Sequence, residues 1–386
     1  MASTQHAKSK SCTMKTLTCF AIAFCFLSGA AADVLNVSHH WVFKTSKSTG
    51  YVHMATLEKV PTSNGPLAVA FQATHDTTEG DDSQSIYLKL SHDGGVTWNA
   101  HTVLVKPGFK QAVWGPVLQW DAAQERMLCF FSASVTANTR SAGRSYPGGD
   151  IYVIRSAGDD LLANWTTPQR LLAFDDQQFG RGLVSKVTAN KPAINGRTWL
   201  LPFWQEPHTA NETGPACAGV LASHDGGSSW APTQACLNSS AAGWLIENTL
   251  AFTTADDLLM MFRTKAGRIW QARSVDLGRT WSVPNATDRL NPNSKTFLTA
   301  SGTDLWLTYN PSSSKRDPLA LAQSRDAGRS WADVATLDSG GCDNYAYPTT
   351  EVFGGNAYSV YSADIRTGIR LAIATINTTT NTVAHR

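Results

Sequence analysis

The sequence predicts an all-β fold, a six-bladed β-propeller, and three observations carry that prediction. A short motif of turn residues recurs along the chain. Each copy follows a strand-like apolar run, and no long stretch repeats with a helical period. The motif reads S-x-D-x-G-x-[ST]-W. Its copies are Ser91-His-Asp93-Gly-Gly95-Val-Thr-Trp98, Ser223-His-Asp225-Gly-Gly227-Ser-Ser-Trp230, Ser274-Val-Asp276-Leu-Gly278-Arg-Thr-Trp281 and Ser324-Arg-Asp326-Ala-Gly328-Arg-Ser-Trp331.

Each residue of the motif has a task in a hairpin. Asp accepts backbone N–H bonds inside a tight turn, and Gly supplies a positive φ. Ser or Thr adds a local hydrogen bond. Trp is expected to fold back onto the apolar base of its own hairpin. The runs Ile86–Leu90 and Leu319–Gln323 are the strands that lead into two of the copies. The last three copies recur about every 50 residues, which fits one four-stranded blade. A degenerate copy, Ser156 to Asp160 and Trp165, divides the longer gap after the first copy into two spans of blade size. Short apolar runs alternate with Gly, Pro, Asn and Asp throughout, and no linker is visible. One propeller domain over residues 33–386, with six such units, is therefore expected. The 13 Trp residues suit a repeat that uses Trp structurally.

Composition narrows the class further. Of the 386 residues 42% are apolar and 16% charged, as in a chain with a large core. A net charge of +2 gives no reason to expect nucleic acid or an anionic membrane as partner. Lys8, Lys10 and Lys15 precede the apolar run Leu17–Leu27, and Gly29-Ala30-Ala31-Ala32 follows. This is the pattern of a signal peptide over residues 1–32, cleaved before Asp33. The run is shorter than the roughly 20 residues that a membrane span needs. N-x-[ST] triplets stand at Asn36, Asn164, Asn211, Asn238, Asn285 and Asn377, so a secreted, extracellular glycoprotein is expected. Of the 7 Cys, Cys12, Cys19 and Cys25 leave with the signal. Cys217 and Cys236 flank a hairpin and can pair across it, although Cys129, Cys217, Cys236 and Cys342 together allow other pairings. Cys129, within Met127-Leu-Cys-Phe-Phe131, reads as a buried thiol.

The four repeats resemble the Asp boxes of sialidases and their BNR-repeat relatives. The chain is similar to that superfamily over nearly all of its mature length, which implies the propeller fold. Asp boxes also occur in propellers without activity, so function must come from other residues. In sialidases a Glu before an apolar strand is followed by an Arg closing the next strand. Here Ile246-Glu247-Asn-Thr-Leu leads to Met260-Met-Phe-Arg263. A further Arg follows an Asn-Pro, as Arg316 follows Asn310-Pro311. A Tyr follows the last box, as in Tyr345-Ala-Tyr347-Pro348, and the resemblance makes Tyr347 the nucleophile, with Tyr345 as the alternative. The general acid is sought in the loop Thr74–Asp82, at Glu79 or Asp76. The segments Glu79-Gly80, Trp114-Gly-Pro116, Asn190-Lys191-Pro192 and Asn291-Pro-Asn-Ser294 resemble a BNR subgroup, with Trp114 and Lys191 as substrate-binding candidates. The chain departs from the sialidase pattern in Tyr51-Val-His53, where His53 occupies the place of a third Arg.

The chemistry of this set can be stated without the family. Two guanidinium forks, Arg263 and Arg316, match one carboxylate and stay charged. A Tyr becomes nucleophilic when a carboxylate such as Glu247 takes its proton. A Tyr suits a substrate that itself carries a carboxylate, because an anionic nucleophile would be repelled. These residues imply an exo-sialidase-type glycosidase acting on a glycan with an acidic sugar. Two alternatives stand beside it. One is a uronate lyase, in which His53 or Tyr347 moves the proton. The other is a non-catalytic carbohydrate-binding propeller. No metal or cofactor is expected: His39-His40 and His75-Asp76 lack a spaced third ligand, and no phosphate-binding loop is present. A monomer is expected. The secreted protein should lose apparent mass on a gel after removal of N-glycans and should begin at Asp33 by N-terminal sequencing. Unchanged mobility would count against export.

Overall fold

The computed structural model describes residues 33–62, 64–75, 79–80, 83–106, 109, 112–134, 149–158, 162–173, 183–186, 190–207, 216–233, 236–341 and 344–377. The leader 1–32, Asp76, Asn211 and Cys342 lie outside them. Antiparallel strands form six blades, and the described residues contain no helix. From the axis outward, the first blade is Tyr51–Lys59, Leu67–Thr74, Ser85–Ser91 and Thr102–Val105. The second is Val113–Asp121, Arg126–Ser134, Gly149–Arg155 and Gln169–Leu172. The third has an inner strand in two pieces, Leu183–Lys186 and Ala193–Asn195, then Thr198–Pro207, Cys217–Ser223 and Ala231–Pro232. The fourth is Ile246–Phe252, Leu258–Arg263, Arg268–Ser274 and Asn285–Leu290. The fifth is Phe297–Ser301, Asp304–Tyr309, Leu319–Ser324 and Ala332–Asp338. The sixth is Tyr345–Phe353, Asn356–Ala363 and Gly368–Asn377, and its outermost strand is Asp33–Lys44, from the other end of the chain.

The apolar core is six seams between neighbouring blades. One seam joins Leu88 and Ile86 of the first blade to Leu118 and Phe131 of the second. Another joins Leu259 and Met261 of the fourth to Leu305 and Leu307 of the fifth. A third joins Val360 and Leu371 of the sixth to Val69 and Phe71 of the first, completing the ring. The strands are therefore buried on both faces, which is why they read as continuous apolar runs rather than alternating ones.

The four repeated turns join the third strand of a blade to the fourth, and all four use the same bonds. In the last, Ser324 Oγ donates to Asp326 Oδ1 (2.8 Å) and accepts from Gly328 N (2.8 Å). Ser330 N and Oγ donate to the two carboxylate oxygens of Asp326 (2.8 and 2.6 Å). Burial is the largest single effect and raises the Asp326 carboxyl, but these donors together overcome it and hold the group down at about 2. Gly328 has φ 76°, and a Cβ there would lie 2.4 Å from Leu259 of the preceding blade, so the position needs Gly twice over. The Trp residues fold back onto their own turns as expected, Trp98, Trp230 and Trp281 each donating its indole N–H to the box Gly carbonyl (3.1 Å), but they also reach further. Trp98, Trp165, Trp230, Trp281 and Trp331 each pack into the seam with the preceding blade. Trp41 occupies the remaining seam. Each box thus staples two blades together. Cys217 and Cys236 form a disulfide, and Cys129 is a buried free thiol.

Ser324 is buried, and its replacement by Ala would leave the Gly328 N–H without its acceptor. Ser324→Ala should lower stability by about 1–3 kcal/mol, read as a lower urea midpoint with unchanged slope.

Candidate active site

The site is made by a repeated irregularity of the innermost strands. In the first blade the ladder passes from His53↔Gln72 to Thr56↔Ala70, leaving Met54 and Ala55 unpaired. The same step leaves Gly115 and Pro116 unpaired in the second blade, Glu247 and Asn248 in the fourth, and Tyr347 and Pro348 in the sixth. The first unpaired residue always has positive φ: Met54 53°, Gly115 54°, Glu247 48° and Tyr347 58°. Only Gly adopts this conformation without cost, so three of the four positions store strain. At Glu247 and Tyr347 the bulge brings two polar side chains together across the axis.

Tyr347 Oη donates to Glu247 Oε1 at 2.5 Å. Arg263 Nη1 donates to both, 2.8 Å to Glu247 Oε2 and 2.7 Å to Tyr347 Oη. Arg263 Nε is fixed by Asn293 Oδ1 (2.8 Å), and Arg316 Nη2 donates to the Asn293 carbonyl (3.1 Å). The Arg316 guanidinium lies 5.6 Å from the centre of the Tyr347 ring. The His53 ring lies 4.2 Å from the Tyr347 ring, and its Nδ1 bonds Ser362 Oγ at 2.7 Å. Glu79 Oε1 accepts from Gln72 Nε2 (3.0 Å), and Gln72 Oε1 in turn accepts from Gly115 N in the second bulge (3.1 Å).

The electrostatics follow from burial. Burial pushes the Tyr347 hydroxyl above its ordinary value; Arg263 and Arg316 pull against this, and Glu247 reinforces it. Tyr347 therefore rests as a neutral phenol with its proton directed at Glu247. Burial drives His53 well below its ordinary value, and the charges of Arg316, Lys295 and Arg263 drive it further, so its imidazole is neutral. Burial pulls Arg263 down, but Glu247 and Tyr347 more than restore it.

The structure thus brings Tyr347, Glu247, Arg263, Arg316 and His53 together, with Glu79 close enough for its charge to act on Tyr347. Asp76 lies outside the described residues. Tyr345, the alternative to Tyr347, points into the seam between the fifth and sixth blades and accepts from Gly341 N (2.9 Å). Trp114 is 2% exposed and its indole donates to Ser134 Oγ, so it presents no open face for a sugar. Lys191 is not in the cluster. It pairs with Glu58 of the first blade and Glu351 of the sixth. Glu58 stands next to the Lys59↔Leu67↔Ser91 end of its blade, where the box turns begin, whereas His53 is paired with Gln72. Lys191 therefore belongs to the box side of the ring, opposite Tyr347. Asn293, Lys295, Gln72 and Ser362 are the residues that the sequence alone did not mark. The run Asn291-Pro-Asn-Ser294 contained only Asn293 of these.

The profile of the BNR repeat-like domain matches residues 65–357. The chain belongs to the BNR repeat-like family. This BNR repeat-like protein has no match among curated proteins. Its fold is shared with a Hadza microbial sialidase, with TM-score 0.69 and 16% identity over 85% of this chain and 66% of the other. Trypanosoma rangeli sialidase in complex with sialic acid gives 0.68 and 15% over 89% of this chain and 59% of the other. A Dyadobacter fermentans protein of unknown function gives 0.69 and 15% over 89% of this chain and 100% of its own. The BNR repeat-like chain thus spans 66% and 59% of the lengths of the two sialidases. At such identities the likeness is one of fold, a sialidase-type propeller.

The neutral state of buried His53 gives stability a pH dependence. The unfolded chain takes up a proton on this residue near pH 6.5, and the folded chain takes it up only at lower pH. Stability should therefore fall as pH drops below about 6.5, and His53 adds no slope above it. The difference in Tm between the native protein and His53→Gln should shift in favour of the variant between pH 7 and about 5; a constant difference would refute the assignment.

Proposed function

We propose that this protein is a sialidase-type glycoside hydrolase acting on a terminal sugar that carries a carboxylate. The observation that carries the proposal is the 2.5 Å contact from Tyr347 Oη to Glu247 Oε1, with Arg263 bridging both. A pocket built only to bind would need the guanidinium groups but not a carboxylate poised to take the phenol proton.

Arg263 and Arg316 hold the sugar carboxylate. Tyr347 Oη bonds to the anomeric carbon as the bond to the glycosidic oxygen breaks, and its proton passes to Glu247. Glu79 gives a proton to the departing oxygen. Water then attacks the anomeric carbon with Glu79 as base, Tyr347 leaves and Glu247 returns the proton. The hydrolase acts outside the cell as a monomer on glycoconjugates. Exposed Asn36, Asn164, Asn238 and Asn285 and the disulfide Cys217–Cys236 support passage through an oxidising secretory route.

A second reading is favoured by one observation, the neutral His53 ring 4.2 Å from Tyr347. In a uronate lyase the Arg pair would neutralise the carboxylate and acidify the neighbouring C–H. His53 or Tyr347 would take that proton, the C–O bond beyond it would break, and a carbon–carbon double bond would remain in the product.

Tyr347→Phe should lower the release of free sialic acid from a fluorogenic sialoside by roughly 10²–10⁴-fold. Binding of sialic acid measured by calorimetry should be retained. An ultraviolet-absorbing unsaturated product from a uronate-capped glycan would establish elimination, and neither product would establish the binding module.

A further inference from the structure

Beneath the site lies a charged group that the proposed chemistry does not use. Lys295 is 0% exposed, and its Nζ donates to the carbonyl of Pro348 at 2.5 Å. Pro348 is the second unpaired residue of the bulge that presents Tyr347. Lys295 comes from the turn Asn291–Lys295, in which Asn291 Oδ1 accepts from Ser294 N (2.9 Å) and Asn293 has φ 57°. The same turn receives both guanidinium groups, Arg263 on the Asn293 side chain and Arg316 on its carbonyl. One short link between the fourth and fifth blades therefore gathers three cations against the sixth.

A wholly buried ammonium costs several kcal/mol in lost hydration, and one peptide carbonyl does not offset that. Packing and the hydrogen bond could be supplied by an uncharged side chain, so the charge itself needs an account. The Lys295 charge interacts with Glu247 of the fourth blade and with His53 of the first, and His53 also feels Arg316 of the fifth and Arg263 of the fourth. Glu247 is the anion among them. Buried His53 stands where the sialidase pattern has a third guanidinium.

We infer that Lys295 is a positioning residue: it fixes the Tyr347–Pro348 bulge and supplies to the site a positive charge that the His53 position lacks. Burial lowers Lys295 to about 7, with Glu247 opposing that fall, so the charge is present on the acid side of neutrality. The inference rests on the reading of the site as a pocket for a carboxylate.

Lys295→Gln retains a donor for the Pro348 carbonyl and removes the charge; Lys295→Met removes both. At pH 6 the Gln variant should keep its Tm within a few degrees and bind N-acetylneuraminic acid by calorimetry about tenfold more weakly or worse. Its His53 ring resonances, identified by comparison with His53→Gln, should titrate at higher pH than in the native protein, because one repelling charge has gone. Native affinity together with a native His53 titration would overturn the inference. So would failure of both variants to fold, which would make the role structural. If the native protein binds no acidic sugar, the hydrolase reading fails by itself, and the His53 titration still decides whether Lys295 acts on the site.

Discussion

The two-residue bulge in the innermost strands is the constraint on which the site depends. A regular ladder would point alternate side chains into the seams and leave only backbone at the axis. The bulge releases two residues from pairing, and its positive φ turns the first of them inward. The strain is held by bonds between blades. Thr56 Oγ1 accepts from Leu118 N, Thr249 Oγ1 from Leu298 N, and Thr349 Oγ1 donates to the Ala55 carbonyl. Asn190 adds bonds to the carbonyls of Glu247 and Asn248. A bulge in one blade is thus braced by its neighbours, and Tyr347 meets Glu247 because the ring holds both.

The two sides of the ring solve opposite electrostatic problems. On the bulge side, among the described residues of the site, Arg263, Arg316 and Lys295 outnumber Glu247 and Glu79, which suits an anionic ligand. On the box side, Lys191 sits between buried Glu58 and half-buried Glu351, so three charges come together from three blades. Burial raises Glu58 to about 7 even with Lys191 beside it, and the two carboxylates keep Lys191 protonated. Such a triad is costly to bury, and its gain is register: it ties the third blade to the first and sixth across the axis. The overall charge of +2 conceals this sorting completely.

The fold was legible because its cause is local. A box is eight residues long, and its Ser, Asp, Gly and Thr satisfy one another within that span. The blade count followed from its period. The Trp was legible as a residue but not as a staple, since its partner is in the preceding blade. Glu247, Arg263, Arg316 and Tyr347 could be placed through order along the chain, although their contacts cross up to 100 residues. The misplacement of Lys191 and the burial of Trp114 have the same origin. Both lie in recognisable segments, but the face of the ring on which a residue falls depends on register, which no short segment carries. Lys295 was missed because a lysine in a polar run reads as solvated until the chain folds over it.

The strand that completes the ring is the first of the described strands. Asp33–Lys44 pairs with Gly368–Asn377, from Asp33↔Asn377 to Lys44↔Gly368, so the sixth blade cannot be completed until its final strand has left the ribosome. Until then one blade lacks an edge strand and two seams lie open to solvent, with unpaired backbone available to other chains. A solenoid protects such ends with capping repeats; a closed ring has no ends and must protect them by timing instead. The pairing of Asp33–Lys44 with Gly368–Asn377 is the contact of longest sequence separation among the described residues and the slowest to find by diffusion of the chain. Once made, it means that no blade can peel away alone. Loss of structure must open a seam against its neighbours on both sides, and that favours long persistence of the folded ring over rapid exchange with the unfolded chain.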